Sequence, residues 1–237
     1  IVFSKSIVGK LRMVKSNSEI EKLRESARIA DCVMKQALET FSSNMTELEL
    51  SSLVNLGFHQ QGAKPAFSLV SSGVNGAFPH HHSDNTQIQK GVPTIIDIGA
   101  SVNGYFSDMT RMAHIHKPSE KCRLLIRIVE EALSRAIESV IVGQTISNID
   151  KAARDVIIEA GFGKFFNHRT GHGVGLEIHE PPFITNTNNL ILEEGMVFTI
   201  EPGIYLPGEF GVRLEEVVHV TRHGAEVLSN LCRDLFV

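Results

Sequence analysis

Cysteine is scarce: Cys32, Cys122 and Cys232 stand far apart, and no C-x-x-C pair occurs. That excludes a zinc knuckle or a disulfide framework and fits buried, inert thiols in a reducing compartment, so a cytoplasmic location is expected. No apolar run approaches the roughly 18 residues that a membrane span needs. The formal net charge of -4 leaves no basic footprint for nucleic acid and no polybasic membrane patch. Several hydrolase and nucleotide signatures are absent. There is no G-x-S-x-G, the glycines of G-H-G-V-G (171–175) are not followed by a Walker lysine, and His179-Glu180 runs into Pro181-Pro182 instead of completing H-E-x-x-H. The chain starts at Ile1 without an initiator methionine, so the absence of a targeting signal carries little weight.

What is present reads as one large domain, or two fused halves with the same plan. Ser18 and Glu21 form a capping-box pair, and Ile20, Leu23, Ala27, Ala30, Met34 and Leu38 recur at helical spacing to about Phe41. A second helix opens at Thr46, with Glu49 in the box position, and closes near Gly62. A loop rich in Ser, Gly, Pro and His (71–85) and the strand T-I-I-D-I-G (94–99) follow. The second half repeats the order. A helix after Pro118 carries Leu124, Leu125, Ile128, Val129 and Leu133; another runs from Thr145 to Gly161; then come a Gly/His loop and the strand V-F-T-I-E-P-G (197–203). Thr46 and Thr145, and Gly62 and Gly161, are each 99 residues apart, which predicts an internal duplication with halves of about 17–116 and 117–237.

Each half places an acid in an apolar strand, Asp97 in I-I-D-I and Glu201 in F-T-I-E. A lone acid there would most simply face water or a salt-bridge partner, because an unpaired buried charge is very costly. Turn geometry argues otherwise. Asn103-Gly104 is a strong two-residue hairpin signal, and pairing across it sets Asp97 opposite Thr110 and Gly99 opposite Asp108. Asp97 and Asp108 then share a face as diagonal neighbours. A turn centred on Gly208 sets Glu201 opposite Glu215, a pairing of like charges that is destabilising unless a cation lies between them. Four carboxylates and an imidazole make a hard ligand set suited to Mn(II), Fe(II), Co(II) or Zn(II). Bridging carboxylates would imply two such ions about 3.5–4 Å apart.

The runs D-I-G-A-S-V-N-G-Y-F-S-D-M-T-R, T-G-H-G-V-G-L-E-I-H-E-P-P, T-I-E-P-G-I-Y and G-V-R-L-E-E together resemble the pita-bread-fold metallopeptidases: methionine aminopeptidases, Xaa-Pro aminopeptidases and prolidases. The resemblance extends from about residue 17 to the end of the chain. It implies an α+β fold, two pseudo-symmetric αα-β halves around a curved antiparallel sheet. It also implies two divalent metal ions. Asp97 would chelate one, His172 and Glu201 the other, and Asp108 and Glu215 would bridge them. His80 would face the substrate, His179 would stabilise the tetrahedral intermediate, and His168 would be a further pocket histidine. Glu201 would move the proton, while Arg213 and Thr199 would orient Glu215 and Glu201. His81 and His82 read as part of a solvated loop.

The implied reaction is hydrolysis of a peptide bond. Methionine aminopeptidases usually carry the final glutamate in an E-H-T context; G-V-R-L-E-E-V-V and S-S-G-V-N-G-A-F-P-H look instead like the Xaa-Pro branch. The expected substrate is a peptide cleaved before proline, either at its N-terminus or as a dipeptide. Alternatives are a methionine aminopeptidase, a non-metal enzyme of the creatinase kind, and a non-catalytic peptide- or protein-binding member. The latter two predict substituted ligand positions, and all five are intact here. Relatives of this branch carry an N-terminal domain that supports a homodimer; residues 1–16 read as its tail or a linker. His172 and His179, seven residues apart, would serve one site only if Gly171, Gly173 and Gly175 let the backbone bend or bulge between them.

Overall fold

Two overlapping S-x-x-E signals compete to start the long first-half helix, and the earlier one wins. Helix α2 (Asn17–Thr40) is capped by Ser16, whose N–H and hydroxyl both donate to Glu19, at 2.8 and 2.7 Å. The expected Ser18/Glu21 box is therefore displaced by one pair. The cause lies upstream: the Lys15 N–H donates to the Gly195 carbonyl at 2.8 Å, fixing where the chain can turn into the helix. The computed structural model describes residues 5–233, and α2 is preceded by helix α1 (Lys5–Met13). Helix α3 (Glu47–Gln60) has Thr46 and Glu49 in the expected capping box.

In the second half, α4 (Glu120–Glu138) and α5 (Ile146–Glu159) follow the same plan. Leu125, Val129 and Leu133 of α4 are buried, but Leu124 is exposed, because adjacent residues cannot share one helix face. Gly62 and Gly161 end α3 and α5 at φ values of 74° and 85°, a conformation in which a Cβ would be strained.

All strand pairs are antiparallel. The first sheet joins β1 (Lys64–Ser72), β2 (Pro93–Val102), β3 (Tyr105–Phe106) and β4 (Met109–His114), with β3 and β4 both on β2. The second runs in the order β11-β10-β7-β5-β6, from β5 (Gly171–Gly173), β6 (Glu180–Ile184), β7 (Val197–Ile200), β10 (Glu216–Thr221) and β11 (Gly224–Val227). The strands β8 (Gly203–Leu206) and β9 (Phe210–Arg213) form a separate hairpin. Strand β1 is absent from the sequence reading. Its inward positions include Ser68, Ser71 and Ser72, and Ser68 is accommodated by a hydrogen bond from Ser51 to its carbonyl at 2.8 Å, so no apolar alternation betrays it.

Besides a smaller cluster that joins Ile20, Leu23 and Ala27 of α2 to Val197 and Val217 of the second sheet, the helix pairs pack on the sheets through two apolar cores. Val33, Met34, Leu50, Phe58, Ile96 and Ile98 belong to the first. Leu125, Val129, Ile149, Phe198, Ile200 and Val218 belong to the second.

Both hairpins take the expected register. Asn103 and Gly104 have φ of 52° and 85°, and Asp97 lies opposite Thr110. The ladder lapses at Ser107 and Asp108, between β3 and β4, and keeps one register on either side. In the second half Gly203 pairs with Arg213 and Ile200 with Glu216, so Glu201 and Glu215 face each other across an interruption. Their N–H groups turn elsewhere, Glu201 to the Thr170 carbonyl at 2.8 Å and Glu215 to the Thr110 carbonyl at 3.3 Å. The second of these joins the two halves at the acids.

Candidate metal centre

A cavity of about 320 Å³ opens where the two hairpins meet, and its wall includes Asp97, Asp108, His172, Glu201 and Glu215. Atoms of Asp108, His172 and Glu215 lie within 4.8 Å of one another. The His172 ring Nδ1 is 3.1 Å from the Gly173 carbonyl, which can only accept, so Nδ1 carries the proton. Its Nε2 lone pair then points at two carboxylates, Asp108 at 3.6 Å and Glu201 at 3.4 Å. Acceptor faces acceptor, an arrangement that calls for a cation between them. Asp97 Oδ1 is buried without a hydrogen-bond partner. These residues fit divalent metal: hard oxygen donors, one neutral imidazole nitrogen, and an orphaned carboxylate oxygen.

The electrostatics agree. Burial, then the charges of Asp97 and Glu201, push the Asp108 carboxyl well above the usual range. Glu215 is raised likewise by burial, then by Asp108, Glu201 and Asp97. Burial lifts Glu201 to about 7, Asp97 adding to it against the pull of Arg213. Burial, reinforced by His179, drops His172 to about 3, leaving the imidazole neutral as a ligand requires.

Neighbouring side chains aim these groups. The Thr199 hydroxyl donates to Glu201 at 3.2 Å and accepts from the His172 N–H at 3.1 Å. Arg213 was expected to orient Glu215, but its guanidinium donates to Asp97 at 2.7 Å, to the Thr110 hydroxyl at 3.2 Å and to the Tyr205 hydroxyl at 3.0 Å. Glu215 lies beyond the end of β9, where the ladder is interrupted, and takes its hydrogen bond from Thr110 at 2.7 Å. Neither Tyr205 nor Thr110 carries a signal of its own in the sequence, although Tyr205 closes the motif T-I-E-P-G-I-Y and the hairpin turn sets Thr110 opposite Asp97.

The histidines divide by position. His168 lines the cavity; its Nδ1 donates to the Arg169 carbonyl at 2.7 Å, so its Nε2 accepts from the Tyr205 hydroxyl at 2.9 Å. Burial, with Arg213 nearby, holds this ring at about 4. His172 and His179 meet edge to face with ring centroids 4.2 Å apart. The backbone between them does bulge after His172, yet none of the three glycines has positive φ. Their role is close approach: a Cβ on Gly171 would lie 1.9 Å from the Thr199 carbonyl oxygen, and one on Gly173 2.3 Å from that of Pro181. His80 and His82 are exposed on the cavity wall. His81 is not part of a solvated loop. It turns inward, 2.9 Å from Glu47, a fully buried carboxylate that also accepts from the Ser72 N–H at 2.6 Å and the Asn75 amide at 3.1 Å.

The pattern that defines metallopeptidase family M24 matches residues 21–222. The chain belongs to metallopeptidase family M24. Within M24 it is 41% identical over 231 residues to a Xaa-Pro dipeptidase of Pyrococcus furiosus, covering 97% of this chain and 66% of that protein. It is 38% identical to the probable dipeptidase PepE of Mycobacterium tuberculosis, over 100% of this chain and 64% of the relative. Among solved structures, the X-Pro aminopeptidase from Thermotoga maritima superposes with a TM-score of 0.95 at 39% identity, covering 97% of this chain and 66% of that one. The prolidase from Pyrococcus furiosus gives 0.94 at 41%, over 96% and 68%. The fold is thus the pita-bread fold of M24, and the chain spans about two thirds of the length of these M24 relatives.

Proposed function

We propose that the chain is the catalytic part of a metallopeptidase that hydrolyses the peptide bond before proline, at the N-terminus of a peptide or in an Xaa-Pro dipeptide. The observation that carries this reading is the neutral His172 Nε2 directed at Asp108 and Glu201 inside a cavity that also exposes Asp97 and Glu215. Asp97, Asp108, His172, Glu201 and Glu215 would hold two divalent ions, from among Mn, Co, Fe and Zn. When bound, such ions polarise a carbonyl and lower the pKa of water.

The chain's own residues do the rest. Thr199 occupies Glu201 Oε1, which leaves Oε2 to take the proton of the attacking water and return it to the leaving nitrogen. His179 and His80, both exposed to the cavity, donate to the oxygen on which charge develops and to the bound peptide. His168, with both nitrogens engaged, presents its ring as a wall of the pocket. Arg213 pins Asp97 and, through Thr110, Glu215.

The branch rests on the motif G-V-R-L-E-E, and the names of the Pyrococcus and Thermotoga relatives support it. Of the three cysteines expected to be buried, only Cys122 is, its thiol pushed up to about 11 by burial, while Cys32 is half-buried and Cys232 exposed; that all three are free supports a reducing, cytoplasmic setting. Among the described residues no helix is long and apolar enough to cross a membrane.

The test is a series from Ala-Pro to Ala-Pro-Ala-Ala, with Met-Ala peptides beside it, assayed with Mn(II) and Co(II). Cleavage of Xaa-Pro bonds is expected. Cleavage of Met-Ala peptides alone would move the chain to the methionine aminopeptidases. Absence of both cleavage and metal binding would make it a binding protein.

A further inference from the structure

Lys15 lies outside the cavity and ahead of residues 21–222, which match the family. Its side chain is nonetheless 2% exposed, as is that of Glu180, 3.0 Å away. Arg12 pairs with the same carboxylate and reaches Glu177 at 3.1 Å. A buried ion pair is often no more stabilising than well-packed apolar side chains, so the useful question is what the pair holds in place.

Glu180 directly follows His179, and its carboxylate also accepts from the Glu177 N–H at 3.3 Å. The turn that carries His179 is therefore tied at both ends to one carboxylate. Lys15 is itself anchored by the backbone: its N–H donates to the Gly195 carbonyl at 2.8 Å, and Val14 pairs with Met196 at the entry to β7. The turn is shaped around the pair. A Cβ on Gly175 would lie 2.7 Å from Glu180 Oε1 and 3.1 Å from Lys15 Cε.

We infer that Lys15, assisted by Arg12, is a positioning residue: it holds Glu180 and so fixes the turn at which His179 faces the cavity. The working catalytic unit then extends to residue 12, upstream of the family match. This inference rests on the reading of His179 as a substrate-facing ring.

Lys15→Met keeps the length of the side chain and removes its charge. In the metal-loaded chain, kcat for an Xaa-Pro peptide is expected to fall about 10- to 100-fold, the scale of a misplaced catalytic group, with KM and metal content little changed. In a His179→Ala background the same change should cost nothing further. Hydrogen exchange should quicken over 174–180 and stay unchanged over 197–217. Arg12→Met, at the more exposed partner, should show the same pattern more weakly and serves if Lys15→Met does not fold. Unchanged exchange over 174–180, or an equal loss with and without His179, overturns the inference. If the unaltered chain cleaves no peptide, the peptidase reading falls, and the exchange comparison still decides whether Lys15 holds the turn.

Discussion

Asp108 and Glu215 occupy the two interruptions in the hairpin ladders, buried with ligand atoms within 4.8 Å of each other, Asp108 beside the charges of Asp97 and Glu201 and Glu215 beside that of Asp108. Nothing but a cation relieves that arrangement without protonating a carboxylate. If the two carboxylates bridge a pair of ions as proposed, Asp108→Asn and Glu215→Gln should each weaken binding of both, by more than about 100-fold, the upper end of what losing a mere supporting partner costs. Titration calorimetry and metal content after dialysis would measure this. Two tightly held ions in either variant would remove the bridging assignment. Glu47 is the complementary case, a buried carboxylate that is already satisfied. Its oxygens collect the Ser72 N–H, the Asn75 amide, the His81 ring and the Asp84 N–H. Glu47→Ala should strand the buried Ser72 N–H and the Asn75 amide, while the more exposed His81 and Asp84 turn to water, and destabilise the chain by about 2–4 kcal/mol in urea unfolding, since unsatisfied buried polar groups cost about 1–3 kcal/mol each.

Among elements, the hairpin of β10 and β11 is tied to α2 by an ion pair as well as by apolar packing of Leu23 and Ala27 with Val217. Arg24 donates to both oxygens of Glu226, at 2.8 and 2.7 Å, and His219, directly across the strand pair, lies 2.7 Å away. The hydrogen bond from Arg24 holds the Glu226 carboxyl below its ordinary value of 4.5, against the opposing effect of burial. A carboxyl lowered in the folded state binds its proton more weakly there than in the unfolded chain. Its contribution is complete above 4.5 and is lost as pH falls through the folded value. Partial exposure limits it to about 0.5–1 kcal/mol. Unfolding midpoints of Glu226→Gln and the unaltered chain should differ at pH 7 and converge in acid; a constant gap would refute the linkage.

Helix and hairpin elements were the legible ones. Thr46-x-x-Glu49 and Asn103-Gly104 act through local backbone chemistry, and Asp97 lies opposite Thr110 as that chemistry dictates. Strand β1 was illegible because its buried serines are satisfied from distant parts of the chain, Ser68 by Ser51, 17 residues away, and Ser72 by Thr94, 22 residues away. The inward turn of His81 was hidden for the same reason, since it depends on Glu47, 34 residues back.

On the scale of the whole molecule, Asp97 and Glu201 fall at matching places in the two halves, so the site's ingredients could be read along the chain, whereas their convergence depends on how the halves dock. Arg111 stands at that junction and, among the described residues, is the largest side chain with no exposed surface. From β4 it donates to the Glu216 carboxylate at 2.9 Å and to the Glu215 carbonyl at 2.8 Å in the other half, and to the Leu231 carbonyl at 2.9 Å in the C-terminal segment. Its neighbour Thr110 carries the hydrogen bonds to Glu215, so the arginine also sets the distance between the acid pairs. Arg111→Met fills similar space but leaves the buried Glu216 with only its longer contact to Arg233, at 3.7 Å, and breaking a buried pair costs about 3–5 kcal/mol. Arg111→Lys should recover little, because a single ammonium cannot reach carbonyls and carboxylate in the fork geometry of a guanidinium. Both variants should unfold at markedly lower urea and, where still folded, bind metal more weakly although no ligand has changed. A stable Arg111→Met variant with unaltered metal affinity would show that the halves hold their register without it.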